Sequence, residues 1–100
     1  MTQDQQYLLK ITDETADLIR GLHPEIKSVI RSALKALITQ PYIGKSLKEE
    51  FEGLKSYRVK RYRIIYRISQ KEKILEIIAV GPRKAVYEET FRLIRKEQVR

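Results

Sequence analysis

A chain of 100 residues, 42% of them hydrophobic, is long enough to bury one core and too short for a second, which predicts a single domain over residues 1–100. It has no cysteine, which excludes disulfides and a cysteine-built zinc site; it also lacks an apolar run near the roughly 20 residues that span a bilayer and a signal-like N-terminus, so a soluble cytoplasmic protein is expected. The net charge of +8 is lopsided: residues 1–50 hold seven Lys/Arg and seven Asp/Glu, whereas residues 51–100 hold fourteen against six.

Such an excess is the electrostatic footprint of a polyanion partner, nucleic acid or an acidic protein. A surface that merely solubilises normally mixes both signs. A membrane partner is disfavoured, because no segment combines a basic face with a Trp/Phe/Leu-rich one.

In chain order, residues 7–11 (YLLKI) read as a short strand. Thr12 then caps a first helix that carries acidic residues in its opening turn and runs to about Gly21. After His23-Pro24, residues Ile26, Val29, Ile30, Ala33, Leu34, Leu37 and Ile38 recur at helical spacing and predict a second helix ended by Gln40-Pro41. His23 reads as a loop residue with no catalytic role. Residues 42–53 form a connection whose Ile43, Leu47 and Phe51, with Leu54, are expected to tuck under a sheet.

From Ser56 the period becomes two. Tyr57 and Val59, then Tyr62, Ile64, Tyr66 and Ile68, alternate with other residues as the two strands of a hairpin. A turn at 69–72 leads to the apolar run 74–80 (ILEIIAV), a central strand expected to stop at Gly81-Pro82. Residues 84 to about 96 form a last helix with Val86, Thr90, Leu93 and Ile94 inward, followed by a frayed basic tail. The predicted fold is α+β in the order βααβββα, an antiparallel-rich sheet with an N-terminal helical hairpin and a C-terminal helix.

If the hairpin turn is centred on Lys60-Arg61, Arg58 stands opposite Arg63 on one face, a like-charge pair that destabilises a ladder. The acid best placed to relieve it, Glu76, lies nearer Arg67. The end of the central strand at Val80 is expected beside Tyr62, so that Arg83 emerges near Arg63, and three guanidinium groups converge as a phosphate clamp. Tyr87, one helical turn beyond Arg83, either overhangs this cluster or packs the helix on the sheet. No familiar acid, base, metal or glycine-loop motif appears, and no cofactor is called for. Chemistry run by positive charge and a phenol fits scission of RNA by its own 2′-hydroxyl, where the protein need only orient the strand, stabilise the phosphorane and help proton transfer.

The run 54–68 (LKSYRVKRYRIIYRI), the segment 78–87 (IAVGPRKAVY), the helix pair and GKSL at 44–47 resemble the RelE/ParE toxin superfamily over nearly the whole chain. The RelE branch implies ribosome-dependent cleavage of mRNA in the A site and inhibition of translation. Carried over by position, Arg63 and Arg83 hold the scissile phosphate, Arg58 assists orientation or proton transfer, and Tyr87 stacks on a base or activates the 2′-hydroxyl. Lys55, Lys60, Arg61 and Lys84 would complete an RNA-binding surface. Ser56 departs from the pattern, standing where the RelE branch has a second hairpin lysine, and Lys55 or Lys60 is the expected substitute. The ParE branch implies inhibition of DNA gyrase instead, and a non-catalytic basic module that only holds an acidic partner is the third reading. In both toxin branches the resemblance implies a cognate acidic antitoxin with a segment that folds on binding.

Overall fold

The computed structural model describes residues 7–98. Strand β1 (Leu8–Ile11) leads into helices α1 (Asp13–Arg20) and α2 (Pro24–Thr39). Strands β2 (Lys45–Ser46), β3 (Lys55–Val59), β4 (Tyr62–Ser69) and β5 (Ile74–Pro82) follow, and helix α3 (Arg83–Gln98) closes the chain. The strands form one sheet in the order β1-β5-β4-β3-β2, with β1 parallel to β5 and the other pairs antiparallel. The expected order is present with one addition, the two-residue β2. The last helix continues past residue 96 to Gln98; the tail expected beyond it falls at 99–100, outside the described residues.

Local chemistry accounts for the helix starts. The Thr12 hydroxyl accepts from the Thr15 N–H at 3.1 Å, and Asp13 and Glu14 complement the positive end of α1. His23 Nδ1 accepts from the Glu25 N–H at 3.3 Å, with Pro24 in the first turn of α2. The histidine is therefore a helix cap.

The two faces of the sheet are covered unequally. Ile30, Ala33, Leu34 and Leu37 of α2 pack with Ile19 of α1 on Val59, Ile64, Tyr66, Leu75, Ile77 and Val80. Each large side chain fully buried there contributes roughly 1.5–3 kcal/mol. The opposite face carries a smaller cluster, Leu54, Ile65, Ala79 and Val86. Helix α3 lies mainly over β5 and β4, and toward the tip of the β3–β4 hairpin Arg58 is left exposed on this side.

A bulge in β5 decides what reaches that side. Ile65 pairs with Ala79 but Tyr66 pairs with Ile77, so Ile78 is an inserted residue. Leu75, Ile77 and Val80 can then all face α1 and α2, while Ile78 and Ala79 face α3. The shift of parity puts Gly81 opposite Arg63 on the α3 side. The observed register differs from the expected one by two residues, one set at the turn, where Ser69 pairs with Ile74, and one added by the bulge. Gly81 and Pro82 do not stop the strand; Val80 pairs with Ile64, and Pro82, two residues on, pairs with Tyr62. Proline is accommodated because it is the last residue of β5 and α3 begins at once.

Tyr66, fully buried, fixes the connection after α2. Its hydroxyl donates to the Pro41 carbonyl at 2.7 Å and accepts from the Gly44 N–H at 3.0 Å. A Cβ at Gly44 would stand 2.9 Å from Cε1 of that ring and closer still to the hydroxyl, so the approach requires glycine. Burial pushes the Tyr66 phenol above its ordinary value, with the Gly44 N–H opposing. Leu54 is buried and Leu47 and Phe51 are half-buried, as expected. Ile43 does not tuck under: with Pro41 and Gly44 held on either side of it, its side chain is left 41% exposed.

Candidate nucleic-acid interface

Strand alternation supplies two of the candidate cations. Arg58 is in register with Arg63, and Val59 with Tyr62 across a two-residue turn. Because Ile65 belongs to the cluster under α3, Arg63 two residues earlier points the same way, and Arg58 opposite it does too. Arg83 opens α3 directly after Pro82, and Tyr87 follows one turn later. All four line a single cleft of about 650 Å³.

Among the described residues nothing neutralises the positive charge of the cleft. None of its lining residues is acidic, and among the described residues no carboxylate lies within ion-pair distance of Arg58, Arg63 or Arg83. Arg67 shows the contrast: its guanidinium donates to Glu76 Oε1 at 2.9 and 3.1 Å and lies 3.4 Å from Glu97. Arg58 Nε donates to the Lys60 backbone carbonyl at 3.3 Å. The first turn of α3 has no acidic residue to offset the positive end of its dipole. An arrangement of forked donors around an open space suits a phosphodiester.

Tyr87 packs the helix on the sheet and also lines the cleft. Its ring packs on Phe51, with centroids 5.8 Å apart and a tilt of 45°, and adjoins the small cluster under α3. Its hydroxyl donates to Ser56 Oγ at 3.2 Å. Ser56 is itself only 6% exposed, so the phenol is oriented from beneath.

The secondary cations divide differently. Lys55, one residue from Ser56, projects from the other face, where Nζ donates to Ser46 Oγ at 2.9 Å and lies 5.6 Å above the Tyr42 ring. Lys60 and Arg61 are exposed at the hairpin tip and Lys84 is exposed at the start of α3; none of the four lines the cleft. The cation that does is Lys45, which pairs with Ser56 from β2 and shares its face. Its strand is two residues long, too short for a period to reveal, so the sequence carried no signal of it.

Residues 5–87 match the family model described as the ParE toxin of type II toxin–antitoxin systems, parDE. The chain belongs to the RelE/ParE toxin superfamily. Within it, the chain is 32% identical over 89 residues to Toxin RelE of Mycobacterium tuberculosis, spanning 87% of this chain and 92% of that protein. The RelBE2 toxin–antitoxin complex of the same organism contains a chain 29% identical that superposes with a TM-score of 0.68 over 77% of this chain and 98% of its own. A mutant Escherichia coli RelE in the free state, 19% identical, shares the RelE/ParE fold with a TM-score of 0.72 over 89% of this chain and 98% of that one. No helix among the described residues is long and apolar enough to cross a membrane.

Proposed function

We propose that this RelE/ParE toxin is an endoribonuclease that cuts translated mRNA in the ribosomal A site, acting in the cytoplasm and restrained by a cognate acidic antitoxin. The observation that carries the reading is the meeting of Arg58, Arg63, Arg83 and Tyr87 in one cleft that no lining carboxylate neutralises. In the proposed step the substrate's 2′-oxygen loses its proton and bonds to phosphorus. The P–O5′ bond breaks and the departing oxygen takes up a proton, leaving a 2′,3′-cyclic phosphate and a 5′-hydroxyl. Arg63 and Arg83 carry the added charge of the phosphorane. Arg58 orients the strand, and Tyr87, held by Ser56, stacks on a base or exchanges a proton with the 2′-hydroxyl.

The antitoxin proposal is supported by the relatives, since the Mycobacterium tuberculosis match was obtained as a toxin–antitoxin complex. The basic cleft is the natural seat for an acidic segment of such a partner.

A second reading, inhibition of DNA gyrase, is favoured by the ParE description of the matching family model. The two are separated in a reconstituted translation reaction run beside a gyrase supercoiling assay. Cuts within ribosome-bound codons, carrying 5′-hydroxyl ends and dependent on ribosomes, are expected. Intact message together with blocked supercoiling would replace the first reading by the second.

A further inference from the structure

The outer face of α2 carries Lys27, Arg31 and Lys35 at intervals of four residues, with Ser28 and Ser32 between them. Together with Pro24 they line a groove of about 480 Å³, separate from the cleft. Residues four apart on a helix are neighbours, about 6 Å apart along the axis, so the row sets like charge beside like charge twice and destabilises the helix. Glu25, in the first turn, is the one acidic residue of α2. Among the described residues no carboxylate lies within ion-pair distance of the three cations. Two exposed arginines on the other helices are paired along their own helix, Arg20 with Asp17 in α1 and Arg92 with Glu89 in α3. Counting charge by halves conceals the row, because the first half is neutral as a sum.

We propose that the Lys27, Arg31 and Lys35 row is a second nucleic-acid surface, which docks the protein on the phosphate backbone of double-helical RNA while the cleft takes the single strand. The proposal rests on the ribosome reading above, because the ribosome is where a message strand and structured RNA lie side by side. The geometry suits that division. α2 packs on the face of the sheet opposite the one that α3 and the cleft occupy. The row offers cations and hydroxyl donors for phosphate oxygens. It has no aromatic ring on which an unpaired base would stack, and no apolar companion that would enter a lipid surface. Contacts of this kind read backbone and shape without reading sequence.

The test is fluorescence anisotropy with an RNA duplex of about 20 base pairs, across a salt series, on the full chain carrying Arg83→Ala so that nothing is cut. Adding Lys27→Gln, Arg31→Gln and Lys35→Gln is expected to weaken binding about tenfold or more near 0.1 M salt and to reduce the slope of log K against log salt by about 2 to 3. A control with the same loss of charge, Lys48→Gln, Lys71→Gln and Lys96→Gln, should change the slope by less than half as much. Melting of the α2 variant should not fall, since its like-charge neighbours have gone. An unchanged slope, equal effects of the two triple variants, or tighter binding to the matching DNA duplex overturns the proposal. Cleavage of a translated message is scored separately on chains with Arg83 intact: loss of cutting activity in the unaltered chain counts against the nuclease reading, whereas a slope insensitive to the row counts against the second surface alone.

Discussion

Two hydroxyls in this molecule do different kinds of work. Tyr87 sits on the cleft wall with its hydroxyl on Ser56 and its ring on Phe51. Removing that hydroxyl deletes one hydrogen bond worth about 1 kcal/mol and leaves the ring in place. Tyr87→Phe is therefore expected to fold normally and to lose activity by about 100-fold or more if the phenol exchanges protons, as read in a single-turnover cleavage assay. Ser56→Ala keeps the phenol but frees it from its acceptor, and a milder loss of roughly threefold to tenfold in kcat is expected. Tyr66 is the opposite case. Its hydroxyl joins Pro41 and Gly44 inside the protein, so Tyr66→Phe should cost about 1–3 kcal/mol in chemical denaturation by orphaning a buried carbonyl and N–H. Because burial raises the Tyr66 phenol above its ordinary value of 10.0, the folded state holds that proton more tightly than the unfolded state. This contribution is complete below about pH 10 and is lost as pH rises through the folded value. The alkaline fall in stability should be smaller in Tyr66→Phe.

At the scale of elements, the hairpin and the start of α3 bring the cleft together. Lys60 occupies the first position of the two-residue turn with φ 58°, a left-handed conformation that costs a side-chain-bearing residue about 1 kcal/mol. Lys60→Gly should raise stability by up to that amount, while Gly44→Ala, which drives a methyl into the Tyr66 ring, should lower it by about 1–3 kcal/mol; both are read from urea midpoints. The opposition of Arg58 and Arg63 was legible in the sequence because a two-residue turn fixes the register of both strands. The α2 core face was legible because its apolar spacing runs for four turns. The bulge at Ile78 was not, since an inserted isoleucine in an apolar run leaves the pattern of residue types unchanged; it supplies one of the two residues by which Pro82, not Val80, comes to face Tyr62, and the turn, which pairs Ser69 with Ile74, supplies the other. Lys45 was not legible for a related reason: which face a lysine takes depends on strand parity, and a strand of two residues does not display one.

Across the whole molecule, charge is segregated by face. The cleft side gathers three arginines and Lys45 without an acid in its lining, and the α2 side carries its own unpaired row. A protein that concentrates like charge in this way gives up stability for affinity to a polyanion, so raising salt should stabilise the free chain while weakening its binding to RNA. The proposal that this charge is used to cut RNA rests on the geometry of the cleft. Arg83 carries that claim most directly. It is exposed, makes no ion pair among the described residues, and its removal should leave the fold intact. Primer extension on a translated message after induction of the chain should show cuts within codons at the A site, reduced about 100-fold to 1,000-fold by Arg83→Ala. Uncut messages, or cuts that persist at full strength in Arg83→Ala, would contradict it.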